Sequence, residues 1–381
     1  MIPLSPGLDE RVSGTQSAGA GPSGLDFGNR FRASLTPPYQ LGPGSVRETV
    51  EFIQWAESLG YDDVWLADAG GIDPLTLAAL VLDSTTHIRV GIAAVPAYTR
   101  TPAVLAATIA TLADIAPGRF ALGLGTSSEA MLEGWHGLHI DKPVDRMRET
   151  LELLRDMLAG KKTQFDGVTL RSRGYLQPAV AQPVPILLAA LGPRMSALAA
   201  TAYDGVILNL FPFDVLESLV GRIREHARSS GRDPGAVEIA SRLSVLVTDD
   251  ISAGRDAFRR QFAPYYVNPV YNRFLASCGY PDEAAAILAA GRAGDWAGAR
   301  AALTDDLVDA VAIIGDAAHC ARRIQTYAQA GVTTPILGCP ALDPSAHREN
   351  YLALAPALCR AAGEHAAGGD TPVNAREAGT P

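Results

Sequence analysis

The chain has 381 residues, of which 48% are hydrophobic and 19% are charged, and its formal net charge is −9 at pH 7. This composition is typical of a globular protein with a large core and excludes a fibrous or wholly disordered chain. The acidic balance also argues against nucleic acid as the main partner, because phosphate binding needs clustered Lys and Arg and the runs of consecutive basic residues, such as Lys161–Lys162, are only two residues long.

The two ends of the chain lack a periodic apolar pattern. The first end contains GTQSAGAGPSG, which is rich in Gly, Ser, Pro and Ala, and the second has a similar composition. We therefore predict a disordered tail over residues 1–28, one ordered domain over 29–362 and a second disordered tail over 363–381.

Strand-like and helix-like segments alternate through the first half of the ordered region. The predicted strands are Phe31–Leu35, Asp63–Leu66, Arg89–Ala93 and Phe120–Leu124. The helices predicted after them are 45–58, 74–83, 102–115 and 146–158. The stretch TQFDGVTL then predicts a hairpin with Asp166 and Gly167 at its turn.

The alternation resumes in the second half of the chain. The predicted strands are Ile186–Ala189, Gly205–Leu208, Val237–Val247, Val311–Ile314 and Pro335–Leu337. The predicted helices are 194–202, 214–229, a long helical stretch up to about Ala302, and 317–330. Phe262–Ala302 is rich in aromatic residues, and these indicate either core and dimer contacts or the wall of a substrate pocket.

Regular strand–helix alternation requires a mostly parallel sheet with crossover helices. Eight main strands are present if one of the last two candidates belongs to the barrel and the other is an accessory strand. This number favours a closed (β/α)8 TIM barrel with insertions over an open doubly wound sheet. A dinucleotide-binding fold is weakly supported, because the sequence around Gly123–Leu124–Gly125 lacks the third glycine and follows the fourth strand.

Active sites of such barrels lie at the carboxyl ends of the strands, so the following loops are the candidates for chemistry. Asp68 follows the second strand, where a carboxylate either accepts hydrogen bonds from a ligand or caps the next helix. Small residues from Ala93 to Ala97 follow the third strand and allow a flat ring to approach the backbone, although tight packing is an equal interpretation. Gly125, Thr126 and Ser127 follow the fourth strand and offer N–H and O–H donors, or a plain turn and helix cap.

The loop after the fifth strand reads Ala190, Leu191, Gly192, Pro193, Arg194. A glycine before a helix, a proline in its first turn and a nearby arginine predict an anion site, because free N–H groups and the helix dipole face the ligand. A helix start with a surface arginine is the alternative.

No metal site is predicted, since the spacing of His136 and His139 is not supported by carboxylate or cysteine partners in a metal-ligand pattern. The four widely spaced cysteines indicate free thiols rather than a disulfide framework. With neither a signal-peptide pattern nor a membrane-length apolar run, a cytoplasmic location is predicted.

Three long segments resemble the luciferase-like monooxygenase superfamily, and within it the actinobacterial oxidoreductases that use coenzyme F420, a 5-deazaflavin. They are GRFALGLGTSSEAMLEGWHGLHIDKPVDRMRETLELLR, PILLAALGPRMSALAATAYDGVILN and VAIIGDAAHCARRIQTYAQAGVTTPIL. The resemblance covers essentially the whole ordered region, and it implies an enzyme with a tricyclic redox ring at the barrel mouth.

The resemblance also implies roles for residues in the loops after the strands. It places a non-prolyl cis peptide between Ala93 and Ala94, behind the ring, and Asp68 facing the pyrimidine side of the ring. Thr126, Ser127 and Glu133 would line the ring or its side chain, and Leu191–Arg194 would hold the phosphate. Sugar-phosphate dehydrogenases of the superfamily carry a catalytic His directly after the acid, where this chain has Ala69. Proton transfer then falls to His136, Tyr98 or Glu133.

These observations predict hydride transfer between reduced coenzyme F420 and an organic small molecule, without nucleic-acid or membrane partners. The resemblance alone implies a homodimer. The first alternative is a monooxygenase that uses reduced FMN. The second is a non-catalytic barrel that only binds a flavin.

Overall fold

A computed structural model describes residues 31–38, 45–340 and 343–355 of the chain. The predicted disordered tails, 1–28 and 363–381, lie outside these described residues. Within them, no helix combines the length and the apolarity needed to cross a bilayer.

The strands form one barrel sheet and a separate hairpin. In chain order they are β1 Ser34–Leu35, β2 Asp63–Leu66, β3 Arg89–Pro96, β4 Phe120–Gly125, β5 Gln164–Asp166, β6 Arg171–Arg173, β7 Ile186–Ala189, β8 Gly205–Asn209, β9 Glu238–Val247, β10 Ala312–Gly315 and β11 Thr334–Gly338. Eight parallel strands close in the order β1-β2-β3-β4-β7-β8-β9-β11 and back to β1. The (β/α)8 barrel is therefore confirmed.

The last two candidate strands have different roles. β11 lies between β9 and β1 and closes the barrel. β10 pairs with the far end of β9, from Ala312 opposite Ser244 to Gly315 opposite Val247, and is the accessory strand. Hydrophobicity is similar in the two segments, so the sequence alone left this choice open.

Helices cover the outside of the barrel and form an insertion after β9. In chain order they are α1 Ser45–Ser58, α2 Pro74–Ser84, α3 Pro102–Ile115, α4 Glu129–His136, α5 Pro143–Leu158, α6 Pro193–Ala202, α7 Leu216–Ser229, α8 Ile251–Val267, α9 Pro269–Ser277, α10 Pro281–Arg292, α11 Trp296–Ala301, α12 Asp305–Val311, α13 Ala317–Gln329 and α14 Pro344–Ala353. Short 3₁₀ turns occupy Phe213–Val215 and Pro234–Ala236. Asp73, Asp250 and Asp316 cap α2, α8 and α13 by accepting a backbone N–H.

The predicted elements differ from the observed ones at three places. The stretch up to Ala302 is a series of separate helices, and helix α4 was not assigned from the sequence. The hairpin connection spans residues 167–170, so the prediction of a two-residue turn at Asp166 and Gly167 is wrong. The buried carboxylate of Glu149 holds this wider loop, because it accepts the N–H groups of Val168, Thr169 and Leu170 at 2.6, 2.8 and 2.9 Å.

The barrel interior is filled by one layer of apolar side chains around Trp65, which is 1% exposed. Its members come from seven strands: Trp65, Ala93, Ala121, Leu187, Ile207, Ala240 and Ile336. The indole ring lies against the backbone of Gly91, where an added Cβ would approach it to 2.4 Å. Only glycine therefore fits at position 91, and the layer forms a solid floor beneath the carboxyl ends of the strands.

The insertion between β9 and β10 has its own apolar core. Phe258, Tyr266, Leu275 and Ile287 belong to it, together with Leu210 at the end of β8. The Tyr266 hydroxyl donates to the Leu210 carbonyl at 3.3 Å. The insertion therefore packs beside the carboxyl ends of β8 and β9.

Candidate active site

Small side chains line the barrel mouth on the side of β3, β4 and β7. The peptide bond between Ala93 and Ala94 is cis, which confirms the conformation that the family resemblance implied. The β3–β4 register shifts between Ile92 and Val95 at this point. A Cβ added to Gly125 would lie 3.4 Å from the Ala94 Cβ and 3.5 Å from the Ala189 Cβ, and both alanines are partly exposed. These residues form a shallow, flat apolar surface at the mouth.

Asp68 follows β2 and lies at the rim of the mouth. Its carboxylate is 3.7 Å from the Arg100 guanidinium, which also pairs with Asp73. Burial raises the pKa of Asp68, and the nearby charges of Arg100 and His136 offset this rise only in part. Asp73, and not Asp68, caps helix α2. The capping alternative for Asp68 is therefore excluded, and its carboxylate can accept a ligand N–H.

The loop after β4 presents hydroxyl groups beside the small-residue surface. Thr126 and Ser127 are partly exposed, and Ser127 has a φ of 65°. The Thr126 hydroxyl makes a 3.3 Å contact to the Ser127 carbonyl, and the Ser127 hydroxyl lies 3.6 Å from the Met131 sulfur. Ser128 caps α4 by accepting the Met131 N–H. Because the first two hydroxyls make only long contacts, they are free to rotate toward a ligand.

Helix α6 begins without a side-chain cap. Gly192 is its N-cap residue and has an extended backbone with φ −84° and ψ 159°. The first turn carries no acid, and nothing lies within 4 Å of a Cβ added to Gly192. Gly192, Pro193 and Arg194 are exposed, whereas Ala190 is buried and Leu191 lies between. The free N–H groups, the helix dipole and the Arg194 charge thus face open space that an anion can fill.

The three residues considered for proton transfer lie in the loops around α4 and β3. His136 ends α4, is exposed, and is close enough to act electrostatically on Asp68. Glu133 is 52% exposed and pairs with His139 at 2.7 Å. Tyr98 donates its hydroxyl to the Asp141 carbonyl at 2.6 Å, beneath the Arg146 guanidinium. The structure thus brings His136 to Asp68, while Glu133 and Tyr98 have other partners.

Polar residues on the opposite side of the mouth were not identified from the sequence. Arg242 extends from β9 to the Ala93 carbonyl and the Thr36 hydroxyl, each at 3.4 Å. Asn209 ends β8, lies opposite Arg242 in the β-sheet register, and donates to the Tyr271 hydroxyl at 3.2 Å. The sequence feature that could have identified Arg242 is its charge within the otherwise mostly apolar predicted strand Val237–Val247. Among the aromatic residues of Phe262–Ala302, Tyr271 contacts the end of the barrel through its hydrogen bond with Asn209. Tyr266, in contrast, is buried in the core of the insertion.

The residues of the mouth fit a flat ring with a phosphate-bearing tail. The surface of Ala94, Gly125 and Ala189 is built from small groups, and the side-chain atoms nearest to the Cβ position of Gly125 are the methyl groups of the two alanines. The uncapped start of α6 supplies the donors that a phosphate needs. In the described segments, no group of three or more His, Cys, Asp or Glu side chains is arranged to hold a metal ion.

Comparisons with known proteins bear on the family of this chain. The model of the luciferase-like monooxygenase family matches residues 28–334. The chain is 29% identical over 298 residues to 5,10-methylenetetrahydromethanopterin reductase of Methanolobus tindarius, which covers 77% of this chain and 91% of that protein. It is 31% identical over 271 residues to F420-dependent hydroxymycolic acid dehydrogenase of Mycobacterium tuberculosis, which covers 65% of this chain and 74% of that protein.

One solved structure supports the fold. The coenzyme F420-dependent tetrahydromethanopterin reductase from Methanopyrus kandleri superposes with a TM-score of 0.71, covering 85% of this chain and 97% of that chain. The sequence identity of that superposition is 22%, so it bears on the architecture alone.

Proposed function

Because this chain belongs to the luciferase-like monooxygenase family, we propose that it is an oxidoreductase that transfers a hydride between reduced coenzyme F420 and an organic substrate at the barrel mouth. The observation that carries this proposal is the flat surface of Ala94, Gly125 and Ala189 beside the uncapped start of α6. Relatives named as F420-dependent support the choice of coenzyme. When bound, the deazaflavin supplies the hydride chemistry, and the protein supplies position and a dry surface.

Each part of the mouth has a role in this proposal. Ala93, Ala94 and Gly125 back the ring, and the Asp68 carboxylate accepts an N–H from its pyrimidine side. Thr126 and Ser127 line the ring or its side chain. The backbone from Ala190 to Gly192, together with Pro193 and Arg194 at the start of α6, holds the phosphate.

His136 is the favoured group for proton transfer, because it lies near Asp68 and its ring is exposed to solvent. Tyr98 is better suited to positioning, because its hydroxyl donates to Asp141 and so links the β3 loop to the loop before α5. Glu133 stays a second candidate, through its pair with His139. A general acid or base must come within hydrogen-bond distance of the substrate, whereas a positioning residue need not.

Equilibrium ultrafiltration of the full-length protein with each coenzyme tests the proposal. We expect coenzyme F420 to bind at least about tenfold more tightly than FMN, which is about 1.4 kcal/mol of binding free energy. Asp68→Ala should weaken F420 binding about tenfold, whereas Asp166→Ala in the distant hairpin should not change it. Tight FMN binding with none for F420 would favour the monooxygenase alternative.

Turnover separates the enzyme from the non-catalytic barrel. Reduced F420 and a panel of carbonyl compounds are mixed with the protein, and oxidation is followed by visible absorbance. Substrate-dependent oxidation that His136→Ala slows, with unchanged F420 affinity, supports the assignment of His136. A protein that binds F420 but accelerates no oxidation in either direction would support the non-catalytic alternative.

We also propose a homodimer, on the basis of the family resemblance. Exposed apolar side chains are available for a subunit contact, among them Val104 at 57%, Val168 at 60% and Leu176 at 62% exposure. Sedimentation equilibrium should then give twice the chain mass of 40.0 kDa. A mass that stays at one chain at micromolar concentration would contradict this. The cytoplasmic location stays a prediction from the sequence.

A further inference from the structure

Arg242 crosses the barrel mouth from one wall to the other. Its Cα belongs to β9, the seventh barrel strand, whereas its guanidinium contacts the Ala93 carbonyl of β3 and the Thr36 hydroxyl beyond β1. Both hydrogen bonds are 3.4 Å long, so they hold the side chain loosely. They use two of the five N–H groups of the guanidinium, which leaves donors for a ligand.

Within the described ranges, no neighbouring carboxylate neutralises the charge of Arg242. No Asp or Glu oxygen of the described residues lies within 4.0 Å of its nitrogens. The short segments that follow β1 and β11 in the chain, 39–44 and 341–342, contain no acidic residue either. The arginine at the other end of the barrel, Arg89, contrasts with this, since it pairs with both Asp63 and Glu238. A partly buried guanidinium without a counterion is costly unless a ligand supplies one.

Neutral hydrogen-bonding groups surround this charge. Asn209 and Tyr271 lie beside Arg242 on β8 and α9. Ser244, two residues further along β9 and on the same face, is 8% exposed, and its hydroxyl has no hydrogen-bond partner among the described residues. This side of the mouth thus offers one positive charge and several neutral polar groups.

We propose that Arg242, with Asn209 and Tyr271, forms the substrate-recognition site of the mouth and that the substrate carries a carboxylate bound there. A planar guanidinium matches a carboxylate in shape and in bidentate geometry. One positive charge balances one carboxylate, whereas a phosphate dianion would be left with excess charge. The guanidinium lies beside Ala93, next to the small-residue surface, so that a carboxylate bound to it would hold the substrate close to the ring. This inference rests on the proposed function for the position of the ring.

Binding of small carboxylates and their neutral amides to the coenzyme-loaded, full-length protein tests the proposal. The probes are acetate with acetamide and benzoate with benzamide, followed through the visible absorbance of the bound coenzyme. We expect the wild-type protein to bind the carboxylate at least about tenfold more tightly than the amide in one or both pairs. Arg242→Gln should reduce this preference to within about twofold, and Arg242→Lys should retain only part of it.

Arg260→Gln is the matched control, because Arg260 is an exposed arginine of the insertion, on helix α8. It should keep the full carboxylate preference. Equal binding of acid and amide by the wild-type protein in both pairs, or an unchanged preference in Arg242→Gln, would overturn the proposal. If Arg242→Gln does not fold, the partial loss in Arg242→Lys decides instead.

Coenzyme affinity distinguishes this proposal from the one on which it rests. We expect Arg242→Gln to change the coenzyme dissociation constant by less than about twofold, and a tenfold loss would assign Arg242 to the coenzyme instead. If the protein takes FMN and not F420, the same titrations are made with FMN. That result would refute the choice of coenzyme and leave the carboxylate preference to be decided by Arg242→Gln.

Discussion

Arg89 joins two carboxylates at the end of the barrel opposite the candidate active site. Its guanidinium contacts Asp63 and Glu238, each at 2.6 Å, and Arg32 adds a second bond to Asp63. Burial alone would raise the pKa of Asp63, but the charges of Arg89 and Arg32 outweigh it and the pKa is lowered. A network at the amino-terminal end of the strands serves stability rather than catalysis.

Asp63→Asn should therefore destabilise the fold strongly. Removing one charge of a buried network leaves the others uncompensated, which costs about 3–5 kcal/mol of the free energy of unfolding. Urea denaturation followed by circular dichroism measures this. Asp166→Asn, which removes an exposed carboxylate that pairs with Arg171 and Arg173, is the control and should leave the midpoint unchanged.

The contribution of Asp63 should also depend on pH with a definite sign. Its pKa in the folded state lies below the unfolded value of about 3.9, so the stabilisation is complete above that pH and is lost as the pH falls further. The difference in unfolding free energy between wild type and Asp63→Asn should be constant from pH 6 to about pH 5 and shrink below about pH 4. A difference that grows on acidification would show that the carboxylate is protonated in the native state.

At the scale of single elements, helix α6 allows stability and binding to be changed in opposite directions. Gly192 has a backbone that any N-cap residue adopts, with open space around its Cβ position. Gly192→Asp should stabilise the fold by a few tenths of a kcal/mol, about the gain expected at an N-cap. The same carboxylate would repel the coenzyme phosphate, and we expect its affinity to fall about tenfold or more.

Gly192→Asn provides the comparison, since it caps the helix without a charge. Melting temperature and ultrafiltration are measured for both variants. Equal coenzyme affinity in the Asp and Asn variants would show that the phosphate does not lie at the start of α6.

Two glycines of strand β4 should respond differently to the same substitution. A Cβ at Gly123 would lie 2.2 Å from the Ile92 carbonyl oxygen, which belongs to the backbone of the neighbouring strand. Gly123→Ala should therefore reduce the yield of folded protein severely. A Cβ at Gly125 makes ordinary contacts with Ala94 and Ala189, so Gly125→Ala should fold normally. Its added methyl group narrows the flat surface, and we expect coenzyme binding to weaken about tenfold. Full coenzyme affinity in Gly125→Ala would place the ring elsewhere.

At the scale of the whole molecule, coenzyme binding should stabilise the fold by mass action. Free ligand at about 100 times its dissociation constant adds about 2.7 kcal/mol to the free energy of unfolding. For a domain of this size that corresponds to a rise of about 4 °C in the melting temperature. Differential scanning fluorimetry with F420 and FMN at equal concentration should show the larger shift for F420, and equal shifts would argue against selectivity.

The architecture was largely predictable from sequence, because alternating apolar strands and amphipathic helices permit few topologies. The sequence could not show which of β10 and β11 closes the barrel. Closure depends on which strand pairs with β1, and the local hydrophobicity of a segment carries no information about that pairing. The loops containing Asp68 and Gly192 could be proposed as parts of the site from sequence, because a glycine, a proline or an acidic residue directly after a predicted strand is visible in the sequence itself. Arg242 was missed for the opposite reason: its side chain acts across the barrel, at residues far away in sequence.

The packing of Trp65 beneath the mouth has a practical consequence for following the protein in solution. An indole that is 1% exposed and lies against the Gly91 backbone, one layer below the flat surface, emits at the short wavelengths of an apolar environment. A near-ultraviolet-absorbing ring at the mouth would accept its excitation energy over a short distance. A decrease in the short-wavelength fluorescence of Trp65 would thus show that a ligand occupies the barrel mouth, although the indole itself lies below the ligand site.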